Sequence, residues 1–312
     1  MARRRIGQES FGFARAESGR NAGLDELGLA IDWRAIEALL GEVYAAQKGE
    51  RAWPPQALFR ALLLAVWHDL SDVRLAEALE DRASFRRFCG FSANEATPER
   101  TAFVRFRREL VARGLDARLF KAVVGQLEAR GLVVRTGTLV DATVIRAGSK
   151  SDVDADWCVY AGPHRTPVKG YKAHVAADEE SGIVRKVAVT PANVHDATGM
   201  VLPRHPGRVW ADSAYDSRAV AARIRKARGR PRIVKRMSAR LRPALKAARA
   251  AWNAGVYPVR CRVEKIFGTC KRSYGLGRAR WLGLGRVALQ VHLTLLAFNL
   301  KRATALLRPA PT

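Results

Sequence analysis

Two aspartates stand in stretches that otherwise read as apolar strands. Asp141 follows Leu139-Val140, and Asp212 follows Trp210-Ala211. An ionised carboxylate in a core-bound strand is costly unless it is paired or bound to a metal. Either Asp alone also reads as the cap of a strand end. A third acid, Glu264, lies in Tyr257-Pro-Val-Arg260-Cys-Arg-Val-Glu264-Lys-Ile-Phe-Gly-Thr-Cys-Lys271. On one helix, at about 100° per residue, Tyr257, Arg260, Glu264 and Lys271 share an arc of roughly 60°. Val263, Ile266, Phe267 and Cys270 fill the adjoining arc and face a core. Arg260 precedes Glu264 by four residues, the spacing of an ion pair, so an ordinary salt-bridged surface helix has the same pattern. Three acids brought to one place repel one another, and a divalent cation relieves that repulsion. Carboxylate-only ligation suits Mg²⁺ or Mn²⁺. Two such ions about 4 Å apart suit in-line displacement at a phosphodiester.

The elements that must position these acids change character near Gly137. Before it, the apolar spacing predicts helices over 31–46, 56–70, 72–80 (capped by Ser71), 83–88, from Thr97-Pro98 to 113, and over 115–130. In the helix that ends at 113, Arg105, Arg107 and Arg108 are expected to face out. The pair 72–88 carries Arg82, Arg86 and Arg87 and has the outline of a helix-turn-helix, as pairs in many compact helical domains do. After Gly137, strands are expected at 138–145, 171–177, 182–190, 208–215 and 232–235. Asp178-Glu-Glu-Ser-Gly182 turns the second strand into the third. Residues 148–170 read as a polar loop with solvated acids at Asp152, Asp154 and Asp156. A basic segment, 236–256, leads into the Glu264 helix, and an apolar helix spans 286–301. The expected organisation is an arm over 1–30, an all-α domain over 31–135, a mixed α/β domain over 136–303 and a tail over 304–312.

The balance of charge narrows the partner. Of 312 residues, 55 are Lys or Arg and 29 Asp or Glu, a net charge of +26, while 48% are hydrophobic. A folded chain so basic most often serves a polyanion: nucleic acid first, an anionic membrane surface second. No amphipathic lipid-facing stretch supports the membrane, and the apolar runs 61–67 and 287–300 are short or broken by Gln290, His292 and Asn299. Cys89, Cys158, Cys261 and Cys270 form no CxxC pair or zinc spacing and are expected as free thiols of a reducing cytosol. Met1-Ala-Arg-Arg-Arg-Ile has no apolar stretch after it, so a secretory signal is not expected. Gly275-x-Gly277 follows a helix, which argues against a dinucleotide site.

The order Asp141, Asp212, Glu264 resembles that of the DDE transposases of bacterial insertion sequences. Tyr257, Arg260, Glu264 and Lys271 reproduce the Y-(2)-R-(3)-E-(6)-K signature of one group of them. Several segments are similar to the insertion-sequence-five branch of that group. They are Asp154-Ala-Asp-Trp157, Gly170-Tyr-Lys-Ala-His174-Val, Thr190-Pro-Ala-Asn193-Val-His195-Asp196, Ala211-Asp212-Ser-Ala-Tyr215-Asp216 and Leu296-Ala-Phe-Asn299-Leu-Lys301. The helical stretch from Trp53 to Leu110 is similar too, whereas 239–252 matches no motif.

The resemblance implies an RNase H-like mixed sheet of five strands with flanking helices, behind an all-α N-terminal domain for DNA binding and assembly. It implies two Mg²⁺ or Mn²⁺ ions, with Asp141 shared and Asp212 and Glu264 each completing one. Tyr257, Arg260 and Lys271 would meet DNA. Lys172, His174, Arg262 and Lys265, all close to the expected site, are candidate DNA contacts as well. The implied reaction nicks terminal inverted repeats and then joins the free 3′-hydroxyl to target DNA. The implied setting is a homodimer or larger assembly on DNA in a bacterial cytoplasm, at the nucleoid. The alternatives are an RNase H-like nuclease or resolvase without strand transfer, and an inactive DNA-binding descendant of a transposase. Asp216 reads as a helix cap, and His195 as a structural residue, with a proton shuttle as the alternative.

Overall fold

A computed structural model describes residues 22–43, 52–159 and 166–308. The chain divides into two compact units, one of residues 1–127, 273–275 and 292–312, the other of 128–272 and 276–291. Most of the expected arm, residues 160–165 of the expected loop, the end of the helix at 31–46 and the last tail residues lie outside the described residues.

The first unit is helical: α1 (Ala22–Leu29), α2 (Trp33–Leu40), α3 (Pro55–Trp67), α4 (Asp72–Asp81), α5 (Ala83–Cys89), α6 (Arg100–Ala112) and α7 (Leu115–Ala129). Residues 22–29, read as arm from their polarity, form α1. Pro55 opens α3, where the missing N–H costs nothing. Ser71 caps α4 by accepting from the Arg74 N–H at 3.3 Å, and Gly90, in the left-handed region at φ 89°, ends α5. Two arginines expected on the surface face inward. Arg107 of α6 pairs with Asp72 at 2.7 and 2.5 Å. Arg86 of α5 is buried and donates to the Ser92, Leu79 and Glu95 carbonyls. Arg86 is therefore a staple for the loop after α5 and cannot read DNA from that position.

The second unit is built on one mixed sheet: β1 (Gly137–Arg146), β2 (Asp156–Val159), β3 (Pro167–Asp178), β4 (Val184–Pro191), β5 (Arg208–Ala211) and β6 (Arg230–Ile233). The order is β2-β3-β1-β5-β6, with β4 also on β3. β1 is antiparallel to β3 and parallel to β5, which is parallel to β6. The sheet has six strands, where five were expected. The extra one, β2, falls in the stretch read as a loop, because its four residues offer no clear apolar face. Asp178 holds the β3–β4 turn by accepting from Ser181 N–H and Oγ–H, both at 2.9 Å.

Helices α8 (Asp196–Gly199), α9 (Arg218–Lys226), α10 (Pro243–Arg260), α11 (Arg262–Ser273) and α12 (Leu284–Leu307) complete the chain. Val220 and Ile224 of α9 pack on Val140, Val209, Ala211 and Ile233, one face of the sheet. The basic segment 236–256 turns helical from Pro243 on. The single helix expected over 257–271 is two, with the join at Cys261. Pro258 sits in the last turn of α10 and removes a backbone donor there. Among the described residues no helix is long and apolar enough to cross a membrane, and all four cysteines are free.

Gly170 of β3 lies beside Arg146 of β1. A Cβ there would stand 2.1 Å from the Ile145 carbonyl oxygen, a backbone atom that cannot swing aside. Gly170→Ala is expected to destabilise the fold by about 1–3 kcal/mol or more, read as a lower urea midpoint; an unchanged midpoint would contradict this packing.

Candidate active site

The register of the central strands sets two acids side by side. Leu139 of β1 pairs with Trp210 of β5, so two residues further on Asp141 stands level with Asp212, just past the end of β5. Asp141 is 8% exposed, and its Oδ1 accepts from the Ala142 N–H at 2.8 Å. Asp212 caps the 3-10 turn Ser213–Tyr215 through the Ala214 N–H at 2.9 Å. That cap uses one carboxylate oxygen of Asp212. Burial pushes the Asp141 carboxyl up to about 7, against the pull of Arg260 and the Ala142 N–H. Burial raises Asp212 as well.

Glu264 reaches this pair through Arg260. From the end of α10, Arg260 donates through Nη2 to Asp141 Oδ2 at 3.2 Å and through Nη1 to Glu264 Oε1. Arg260 is mostly enclosed, at 16% side-chain exposure, whereas Glu264 is 58% exposed. The i,i+4 pair foreseen from spacing therefore exists, and the same guanidinium also holds an acid 119 residues away. Val263, Ile266, Phe267 and Cys270 of α11 are buried as their spacing demands. Among the described residues no three His, Cys, Asp or Glu side chains are grouped as a metal cage. The convergence expected of the three carboxylates is thus closed by a cationic side chain, the residue between Asp141 and Glu264.

The donor set nonetheless fits a hard divalent cation. It consists of carboxylate oxygens, the preferred ligands of Mg²⁺ and Mn²⁺. Asp141 resists ionisation because it is buried, and a nearby cation lifts that penalty.

The other expected site residues separate into inner and outer groups. Lys172 of β3 points inward, donating to the Val194 carbonyl at 2.9 Å and pairing with Asp196 at 2.8 Å. His174 is 1% exposed and its Nε2 meets Thr190 Oγ1 at 2.9 Å. A Cβ on Gly199 would come within 2.2 Å of its ring, so α8 closes over it. Burial brings His174 down to about 4. A neutral, enclosed imidazole is not a DNA contact, which corrects that expectation; alternation along β3 placed it near the site but not on its surface. Tyr257 of α10 and Arg262 and Lys265 of α11 are exposed, and Lys271 of α11 is half-buried.

Two residues near the acids were quoted in motifs without a role. Asp196 adds a fourth negative charge that is felt by Asp141, Asp212 and Tyr215. Tyr215 is fully buried, and its hydroxyl has no hydrogen-bond partner among the described residues. Only their place in short motifs marked them. Other loop assignments change. Asp152 is buried and accepts from Tyr171 O–H at 2.8 Å and Gly283 N–H at 3.3 Å. Asp154 accepts from Leu284 N–H at the start of α12. Both partners lie far along the chain, so the two acids look solvated in sequence. Asp216 pairs with Lys235 at 2.8 Å, and Ser217 caps α9 instead. His195 caps α8 through Nδ1.

Comparison with known families adds an independent observation. The family described as Transposase DDE domain matches residues 134–300. A second, described as Transposase domain (DUF772), matches residues 13–109. No solved structure matches the chain.

The buried carboxyl carries a pH signature. In an unfolded chain an Asp titrates near 4, whereas Asp141 titrates at about 7 in the fold. Its contribution to stability is full below about 4 and is lost as pH rises to about 7. In chelator-containing buffer, the melting temperature of Asp141→Asn is expected to gain several degrees on the parent across that interval. A constant difference from pH 4 to 8 would contradict the burial argument.

Proposed function

This chain belongs to the transposase DDE-domain family, and from that premise we propose that it nicks DNA at terminal inverted repeats and joins the freed 3′-hydroxyl to target DNA. The observation that carries this reading is the place of Asp141 on β1, level with Asp212 just past the end of the parallel strand β5, with Glu264 tied to Asp141 by Arg260. The Y-R-E-K spacing of Tyr257, Arg260, Glu264 and Lys271 supports the insertion-sequence-five-like branch. The net charge of +26 supports DNA as the partner.

Asp141, Asp212 and Glu264 would hold the divalent ions, Mg²⁺ or Mn²⁺. When bound, these supply Lewis acidity and an acidified water or hydroxyl. The protein's own part is positional. Asp141 is held by the β1 ladder and the Ala142 N–H, and Asp212 by its capping bond, so neither carboxylate has to search for its place. Glu264 rides on α11, whose apolar flank is anchored. Arg260 bonds to Asp141 and Glu264 together and offsets part of their charge. A DNA phosphate beside them offers the same guanidinium an equivalent bidentate acceptor, and moving to it frees both acids. Tyr257, Arg262, Lys265 and Lys271 lie on the same stretch and would steady the backbone. The helical unit would serve DNA binding and assembly into a dimer or larger complex.

Asp141→Asn, Asp212→Asn and Glu264→Gln are each expected to abolish Mg²⁺-dependent cleavage of inverted-repeat duplex while duplex binding persists. Full cleavage by any of the three would remove that residue from the site. Supplying pre-nicked ends with a plasmid target should give joined products; efficient nicking with no joining would identify a nuclease without strand transfer.

A further inference from the structure

Between Asp216 and Glu264 lie 47 residues with 15 of the 55 Lys and Arg and none of the 29 Asp and Glu. More than half of the net charge of +26 is concentrated there. A general bias toward arginine does not explain this, because the same stretch also excludes every acid.

The part from 235 to 249 is the most exposed. Met237 to Arg240 and Arg242 to Ala248 are all exposed, so the first turns of α10 are bare on every face. Their Ala-rich composition lets a helix persist without packing. The second half of α10 is firmly footed. Trp252 Nε1 donates to the Ile233 carbonyl at 2.9 Å. Asn253 Oδ1 accepts from Lys235 N–H at 2.7 Å, and its Nδ2 donates to the Lys235 carbonyl at 3.0 Å. The bare half is thus a fixed projection on a rigid strand edge. Small side chains there permit close approach of another backbone.

Most of its charge is unmet among the described residues. Lys235 takes Asp216, the one carboxylate paired with the segment among the described residues. Arg240, Arg242 and Lys246 form no ion pair among the described residues. The segment is also continuous with the acids. Arg236 Nε donates to the Ser213 carbonyl at 2.9 Å, one residue after Asp212. Arg249 Nη1 donates to the Arg236 carbonyl at 2.6 Å, which links α10 to that contact.

We infer that segment 235–249 is a docking surface for the phosphodiester backbone of duplex DNA, which it holds alongside Asp212. Arg240, Arg242 and Lys246 contact phosphates without reading bases. The inference rests on the reading of the chain as a DNA-processing enzyme, and it names the surface on which the duplex lies.

The test uses the full chain without divalent metal, so no cleavage enters. Binding of an inverted-repeat duplex and of an unrelated duplex of equal length is titrated at several NaCl concentrations. The triple variant Arg240→Ala, Arg242→Ala, Lys246→Ala touches only exposed side chains and should melt as the parent does. Each lost phosphate contact lowers the slope of log K against log salt by about 0.9, so a fall of roughly 2–3 is expected, equal on both duplexes. The charge-keeping variant Arg240→Lys, Arg242→Lys, Lys246→Arg should retain the parental slope. Three results overturn the inference: an unchanged slope in the alanine variant, a loss confined to the inverted-repeat duplex, or an equal loss in the charge-keeping variant. Vesicles of anionic phospholipid form a further arm, and binding to them that vanishes in the alanine variant while duplex binding stays intact also overturns it. Because the titration does not use Asp141, Asp212 or Glu264, its outcome is independent of whether those residues catalyse.

Discussion

Dehydration of Asp141 is the constraint around which the second unit is arranged. A carboxylate in the middle of a central strand loses most of its water and pays heavily for ionisation unless a cation stands beside it. The fold supplies one from Arg260 and fixes the carboxylate with a backbone N–H. Arg260 can reach because α10 ends beside β1 and β5, and because Asn253 and Trp252 tie that helix to the end of β6. The sheet order, the length of α10 and the break at Cys261 all bear on this one contact.

The same contact ties an exposed Glu264 to the buried Asp141. Its helix is held from one side by Val263, Ile266, Phe267 and Cys270, while its carboxylate stays in water. Arg260 directs it toward Asp141. One acid is dry, one half-dry and one wet. The most buried of them, Asp141, is the one against which the Arg260 guanidinium stands.

The distribution of charge follows a complementary logic. Cations near the acids are engaged: Lys172 with Asp196, Lys235 with Asp216, and Arg260 with two carboxylates. Cations on the bare half of α10 have no carboxylate partner among the described residues. A basic surface that is not balanced internally stabilises nothing in the folded monomer; its favourable energy is realised only against an external polyanion.

The amino-acid sequence by itself determined the alternation of elements, the caps at Ser71 and Gly90, the β3–β4 turn and the place of Asp141 in an apolar strand. These are local: the period of apolar residues, the chemistry of a turn, or an acid in an apolar run is visible within a few positions. The i,i+4 pair of Arg260 with Glu264 was legible for the same reason. Tertiary structure alone decided the bond from Arg260 to Asp141 and the enclosure of His174 under α8. It decided equally the inward turn of Arg86 and Arg107 and the roles of Asp152 and Asp154 at the start of α12. It also admitted β2, a strand whose four residues pair with β3 without an apolar face of their own. Each of these depends on a partner distant in the chain, and a side chain's charge and size do not state which distant group it will meet. Residue type set what each group is able to do; the register of β1 on β5 and the footing of α10 set which of those capacities are used.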